Sequence, residues 1–451
     1  MSALYKRIRD FYYRFKPLQD YYGEDFKRNF DFLLESQEWS RTQMQEYKLA
    51  CLRKLLVHAR DHVPYYGQLF AEHQIDISRI QSFEDFAKLP VLTKDIIRKH
   101  GEAFKADNFE SYKPVIAKTS GTTGHTTTVY RSRELEDFRK ACMWRFYTNH
   151  GINFGDLRMT VFNPGAYSPE APYFDYDKLE NKVNIFTYHI FARDLDPLLD
   201  LIRKFKPRMI WAHPNVFSVL AEYILDQNLE PINIPVVATY GELIDPHIKA
   251  ILTRGFPARY IEYYGNRENT VGAWGLSDQT FYEMSEYCHL EVEDGAGEGD
   301  IISTSLHNYA FPMIRYKPED YIEWLGYTDD NLPYPKFKLI GARGKNLLLS
   351  RNGIICPYAL YYMERHDFYK LKMFQLEQVS LDEVIARIVP RENFDPATDS
   401  EILANLIDRA LLGNFKVIVE VVENIPFTEY GKYKPVISTL AMEYIKEVSG
   451  Q

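Results

Sequence analysis

The chain has 451 residues, more than one hydrophobic core serves comfortably, so two or more domains are expected. Its 45% hydrophobic and 26% charged residues are those of a globular protein, and a formal charge of −9 argues against a dedicated nucleic-acid binder, which carries a basic excess. No apolar run reaches the roughly 18 residues that a membrane-spanning helix needs. The basic, aromatic start "MSALYKRIRDFYYRFKP" lacks the apolar stretch of a secretory signal and reads as an ordinary N-terminal helix.

Leu52, Leu55, Leu56 and Ala59 recur at helical spacing and predict an amphipathic helix ending near Pro64. The stretch "KTSGTTGHTTTVY" (118–130) follows, dense in Ser, Thr and Gly, and its continuation "TTVYRS" reads as a strand. Further helices are predicted around 132–148, 196–205, 215–227 and 246–254. Between them lie "RMIWAH" (208–213), "PVVATY" (235–240) and "ARYIEYY" (258–264), each short and rich in β-branched or aromatic residues. Alternation of such runs with helices predicts α/β units around a parallel or mixed sheet. From about residue 299, "DIISTSL", "FPMIRYK", "YIEWLGY" and "KFKLIGAR" read as closely spaced antiparallel strands. After Arg343, "FQLEQVS", "EVIARIV", the helix-like "SEILANLIDRALLG" and "FKVIVEVVE" read as a small α+β domain. The expected division is therefore a large N-terminal domain over 1–343 and a small C-terminal domain over 344–451.

Cys51, Cys142, Cys288 and Cys356 form no C-x-x-C pair and fit neither a zinc ribbon nor a disulfide framework. Cys288 beside His289 reads as a buried thiol next to a hydrogen-bonded imidazole rather than a metal pair. Reduced thiols suit a cytoplasmic protein.

In the Ser/Thr/Gly stretch, glycines permit conformations in which successive N–H groups surround an anion, and the hydroxyls add donors that rotate to suit. It is not a Walker A loop, because His125 and Thr126 follow Gly124 where that loop has Lys and Ser or Thr. No kinase glycine-rich loop is present either. Local chemistry leaves both a phosphate site and a solvated turn open.

Wider context adds to this. "TSGTTG" resembles the phosphate loop of the adenylate-forming superfamily, the acyl-CoA synthetases and their relatives. Downstream and in the family's order come "EYYGNRE" (262–268), "FPMIRYKPED" (311–320), "GARGKNLLLSRNGIICP" (341–357) and "IPFTEYGKYK" (425–434). "LVHARDHVPYYGQLF" and "STSLHNYAFPMIRY" resemble the phenylacetate–CoA ligase and CapK-type branch, so the likeness covers nearly the whole chain. It implies attack of a carboxylate on the α-phosphate of ATP, release of pyrophosphate, and transfer of the acyl group to a second nucleophile. It also implies a C-terminal domain that moves between the two steps.

The resemblance assigns roles by residue. Ser120, Gly121, Thr122, Thr123 and Gly124 would hold the β- and γ-phosphates. Glu268 would bind Mg²⁺, a task suited to a hard oxygen; otherwise it is a surface or capping residue. Tyr264, after which Gly265 completes the aromatic-Gly pair, would pack on the adenine or the acyl group. Asp320 would accept both ribose hydroxyls, or else serves a turn before "YIEW". Arg343 would contact ribose or phosphate, and Lys345 would be the hinge. Lys432, rather than the nearby Lys434, would place its ammonium between carboxylate and α-phosphate. Trp211, His213, Tyr240, Glu242, Tyr263, Asn266 and Arg267 are candidates for the acid pocket, with core packing or helix capping as the alternative uses.

Departures from the family pattern bear on the substrate. The phosphate loop lacks its usual Pro and Lys, and Arg131 is the cation near in sequence. Arg267 stands where Thr or Ser is common, and either clamps phosphate or occupies part of the substrate site. The hinge motif reads Gly-Ala-Arg instead of Gly-Arg, which shifts Arg343 by one residue. Expected ligands are ATP, Mg²⁺ and a small carboxylic acid, with the 34 Tyr and 28 Phe leaning toward an aryl or arylacetic acid. The acceptor is the CoA thiol, or an amine, a hydroxyl or a carrier protein in a biosynthetic pathway. A noncatalytic nucleotide-binding relative is the third reading. No nucleic acid or membrane partner is expected, and the chain is expected to be a monomer or homodimer.

Overall fold

The computed structural model describes residues 17–119, 127–162, 172–186, 195–241, 244, 246–276, 279–295, 297–318, 320–327, 332–342, 347–355, 370–425 and 436–448. Ser120, Gly121, Thr122, Thr123, Gly124, Glu242, Arg343, Lys345 and Lys432 lie outside the described residues. Two compact units emerge: one of residues 1–121, 125–155 and 262–343, the other of 122–124, 156–261 and 344–451. The strand Arg259–Gly265 carries the chain from the second unit into the first.

The first unit begins with helices. Arg41–His62 is started by a reciprocal capping box between Ser40 and Gln43, which satisfies two backbone N–H groups that a helix end leaves unpaired. Its buried stripe Leu52, Leu55, Leu56 and Ala59 is the one expected from spacing, and it packs with Phe86, Phe104, Phe311 and Tyr316. Val115–Thr119 and Thr127–Arg131 form an antiparallel hairpin, followed by the helix Arg133–Asn149. Ser132 caps that helix through Leu135 N–H and is itself held by Asn308 Oδ1 at 3.0 Å. The strands of this unit run in the order Cys288–Val292, Glu298–Ser305, Asp320–Gly326, Lys336–Ala342, Thr280–Glu283, Gly272–Gly275 and the end of Arg259–Gly265, each antiparallel to its neighbour.

The expected strand at "FPMIRYK" is not one. Arg315 has φ +53°, in the left-handed region that a strand cannot accommodate, and Tyr316 makes only isolated bridges to Leu92 and Ser303. In this turn the Arg315 guanidinium donates to Glu291 and the Leu89 carbonyl.

In the second unit, Val236–Tyr240, Met209–Ala212, Arg158–Phe162 and Lys182–Phe186 pair in parallel in that order, with Phe174–Asp177 antiparallel at the edge. Helices Asp196–Phe205, Pro214–Asp226 and Pro246–Gly255 fall within a residue or so of the ranges that periodicity predicts. The C-terminal part is α+β, as expected: a four-stranded mixed sheet in the order Lys416–Val421, Glu383–Pro390, Leu371–Gln378, Val436–Ile437, with helices Pro396–Ala410 and Thr439–Val448. Residues such as Leu403 and Ile407 belong to the same apolar cluster as Phe217 and Leu220. No helix of the described residues is long and apolar enough to cross a membrane.

Buried charge in the first unit is paired. Arg145 and Glu286, both almost fully buried, form an ion pair, and Glu286 also accepts from Ser36 and Tyr334 at 2.7 Å each. Burial raises the Glu286 pKa, but Arg145 and the hydroxyls outweigh it and hold the carboxyl below its usual value. Removing the cation strands a charge away from water, so Arg145→Met is expected to lower the unfolding free energy by about 3–5 kcal/mol, read by chemical denaturation. Arg145→Met/Glu286→Leu is expected to recover a large part of that loss.

Candidate active site

The hairpin register runs from Val115↔Arg131 to Thr119↔Thr127, so the segment 120–126 joins the paired ends of its two strands. Arg131 stands at the opposite end of its strand from that segment, four residues or about 13 Å from Thr127. Its Nε lies 3.0 Å from Glu136 Oε1. Glu136 also accepts from Asn269 Nδ2 at 2.9 Å and lies 3.3 Å from Arg139. Arg131 is thus matched by a carboxylate beside the 266–271 turn.

That turn is built by Asn266. Its Oδ1 accepts from Thr270 N–H at 2.9 Å and Val271 N–H at 3.2 Å, and its Nδ2 donates to Thr270 Oγ1 at 2.7 Å. An Asn side chain mimics a backbone turn in this way, and here both the amide oxygen and the amide nitrogen bond within it. The turn directs Arg267 to solvent and buries Glu268, 6% exposed, whose Oε1 accepts from the Tyr316 hydroxyl at 2.9 Å.

Tyr264 and Tyr263 are neighbours on one strand and so point to opposite faces. The Tyr264 hydroxyl donates to Asp320 Oδ2 at 2.8 Å, and its ring packs near Phe281 and Phe337. Burial, then the charge of Asp320 and more weakly that of Glu268, push the Tyr264 pKa well above its usual value, so it remains a donor. On the other face, burial raises the Tyr263 pKa against the opposing pull of Arg139. The Tyr263 ring lies across Gly265, where a Cβ would come 2.7 Å from its hydroxyl oxygen. The first unit therefore brings Tyr264, Glu268 and Asp320 into one neighbourhood. Asn266, Arg267 and Tyr263 are directed elsewhere within that unit.

In the second unit, Trp211 and Tyr240 lie at the C-terminal ends of adjacent parallel strands, where open α/β sheets bind ligands. Their rings stack at 4.7 Å and 16°, and the His213 ring lies 4.2 Å from that of Tyr240. Gly241, at φ +79°, makes room for this imidazole: a Cβ there would sit 2.6 Å from His213 Cε1.

The sequence reading passed over Tyr316, Asn269 and Glu136. The signal for the first was present inside "FPMIRYKPED", but a tyrosine there reads as core. Cys288 is buried as expected. His289 is buried against Phe83 and Phe86, with neither ring nitrogen hydrogen-bonded, which differs from the hydrogen-bonded imidazole expected. Its burial drives the pKa well down, so the ring sits in the core as the neutral form. No group of three or more His, Cys, Asp or Glu able to hold a metal occurs among the described residues.

The family described as CapK C-terminal domain matches residues 362–439. The chain is 23% identical over 438 residues to Protein CapK of Staphylococcus aureus, covering 93% of each chain. It is 24% identical over 332 residues to a phenylacetate-coenzyme A ligase of Pseudomonas putida, covering 70% of this chain and 74% of that one. The solved structure of 2-hydroxyisobutyryl-CoA ligase with 2-HIB-AMP and CoA in the thioesterification state matches with a TM-score of 0.58 at 19% identity, covering 92% of this chain and 94% of that chain. This last likeness shows a shared fold.

Burial lowers the His213 pKa from 6.5 to about 4, partly offset by a hydrogen bond to the Tyr240 backbone. Between those values the unfolded chain binds a proton that the folded chain does not, so stability is lost as pH falls from about 6.5 toward 4. In His213→Phe the slope of unfolding free energy against pH in this window is expected to fall by up to about 1.4 kcal/mol per pH unit, measured by denaturation at a series of pH values.

Proposed function

We propose that this member of the adenylate-forming superfamily, on the branch of CapK and the phenylacetate–CoA ligases, activates a carboxylic acid with ATP and passes the acyl group on, with the CoA thiol as the first-choice acceptor. The single observation that carries the reading is the convergence, within the first unit, of Tyr264 and Glu268 from one motif with Asp320 from another. Similarity to a phenylacetate-coenzyme A ligase supports the choice of acceptor.

The residues fit a magnesium nucleotide. Mg²⁺ takes one or two carboxylates and completes its shell with phosphate oxygens and water, so a single buried glutamate would suffice without a cluster of His, Cys, Asp or Glu, of which the described residues hold none. Glu268 would hold the ion, which would offset the repulsion between the acid and the phosphates. Asp320, partly exposed and already accepting from Tyr264, retains acceptor capacity for the ribose hydroxyls. Ser120, Gly121, Thr122, Thr123 and Gly124 would hold the phosphates, Arg343 the ribose or α-phosphate, and Lys345 would serve as the hinge. Lys432 would stabilise the charge gathered as a carboxylate oxygen bonds to the α-phosphorus and pyrophosphate departs. In the second step the acceptor attacks the acyl carbon and AMP leaves. Trp211, His213, Tyr240 and Glu242, all of the second unit, are proposed to shape the acid pocket. Its aromatic side chains favour an aryl or arylacetic acid.

The test is pyrophosphate release with ATP, Mg²⁺ and a panel of carboxylic acids, followed by comparison of CoA, hydroxylamine and amines as acceptors. Acid-dependent release is expected, and thioester formation only with CoA. Lys432→Ala is expected to slow release about 10²–10³-fold, equivalent to about 3–4 kcal/mol. ATP binding without release for any acid would favour a noncatalytic nucleotide-binding role.

A further inference from the structure

The Glu268 carboxylate differs from other buried carboxylates around it. Glu283 faces Lys48, Glu286 faces Arg145 and Glu291 faces Arg315. Glu268 is 6% exposed, yet among the described residues it has no ion pair, and its one hydrogen-bond donor is a neutral hydroxyl. A charge removed from water without a cation is costly, and a tyrosine relieves only part of that cost. Among the described residues, no cation faces this carboxylate.

Tyr316 is itself held rigidly. It is 1% exposed, and its N–H and C=O exchange hydrogen bonds with Ser303 at 2.8 Å each. On either side of it, Leu92 N–H donates to the Arg315 carbonyl and Lys317 N–H to the Leu92 carbonyl, both at 2.9 Å. Arg315 N–H donates to Thr304 Oγ1 at 2.8 Å. Ser303 Oγ reaches Thr270 Oγ1 at 2.8 Å, and Thr270 belongs to the Asn266 turn that presents Glu268. A closed circuit results: turn, Thr270, Ser303, Tyr316, Glu268.

We infer that Tyr316 is a positioning residue for Glu268: its buried hydroxyl holds Oε1 in place and so orients the carboxylate toward the metal–nucleotide. The inference rests on the reading of Glu268 as the magnesium ligand. Partners that orient a ligating carboxylate contribute strongly to metal affinity; their loss typically weakens it by about 10–100-fold.

The full chain with Tyr316→Phe keeps the ring and removes only the hydroxyl. ATP binding is measured by calorimetry across a Mg²⁺ series and in EDTA, with thermal unfolding of the ligand-free protein alongside. The half-saturating Mg²⁺ concentration is expected to rise by about tenfold or more, with ATP binding in EDTA unchanged. In a Glu268→Gln background, Tyr316→Phe is expected to change the Mg²⁺ dependence less than twofold. A Mg²⁺ dependence within twofold of the parent overturns the inference, as does an equal shift in both backgrounds. If Glu268→Gln itself leaves the Mg²⁺ dependence at the parent's value, the metal reading of Glu268 fails and the inference falls with it. Should Tyr316→Phe not fold, Ser303→Ala breaks the circuit one bond earlier, and a rise of a few-fold is expected; no rise overturns the inference.

Discussion

A carboxylate taken out of water must find a cation or hydrogen bonds, and the glutamates of the first unit meet this demand differently. Lys48 and Arg145 come from helices early in the chain and bond Glu283 and Glu286, more than a hundred positions later. Such long-range pairs fix which helix face meets which strand, because a shift in register would leave charge stranded. Among the described residues, Glu268 meets the demand with a neutral hydroxyl. Packing thus separates carboxylates held by cations from one held by a hydroxyl.

The turn at 266–271 and its neighbours are likewise fixed by specific partners. Asn266 folds the turn, Asn269 reaches Glu136, and Tyr264 leans on Asp320. Each contact fixes a backbone segment before any ligand arrives. Ordering them during binding would draw on the binding free energy, so their prior arrangement favours tight positioning of the reacting groups.

Much of the second unit was legible in the sequence. Its helices carry clear apolar stripes, and runs such as "PVVATY" alternate with them, so period and length agree with the outcome. The strands Arg158–Phe162, Lys182–Phe186 and Phe174–Asp177 were not foreseen, because polar residues such as Arg158, Asn184 and Asp175 break their apolar runs. "FPMIRYK" misled for a different reason: its composition is that of a strand, but its backbone turns at Arg315, whose side chain bonds Glu291 far away in sequence. The proximity of Glu268 and Asp320 was suggested by the motifs in which they stand. The use of Tyr316 was not, since a buried tyrosine has the same sequence signature whether it fills space or holds a carboxylate. The turn-building role of Asn266 depends on contacts with Thr270 and Val271 that no single-residue preference encodes.

The close approach of His213 and Gly241 ties two positions together. The imidazole occupies the volume that any side chain at 241 would claim, and the backbone there already favours glycine. Variation at one of them is therefore conditional on the other. Trimming the imidazole would leave a hollow that position 241 is ill suited to refill, so the neighbouring Tyr240 ring would have to close it.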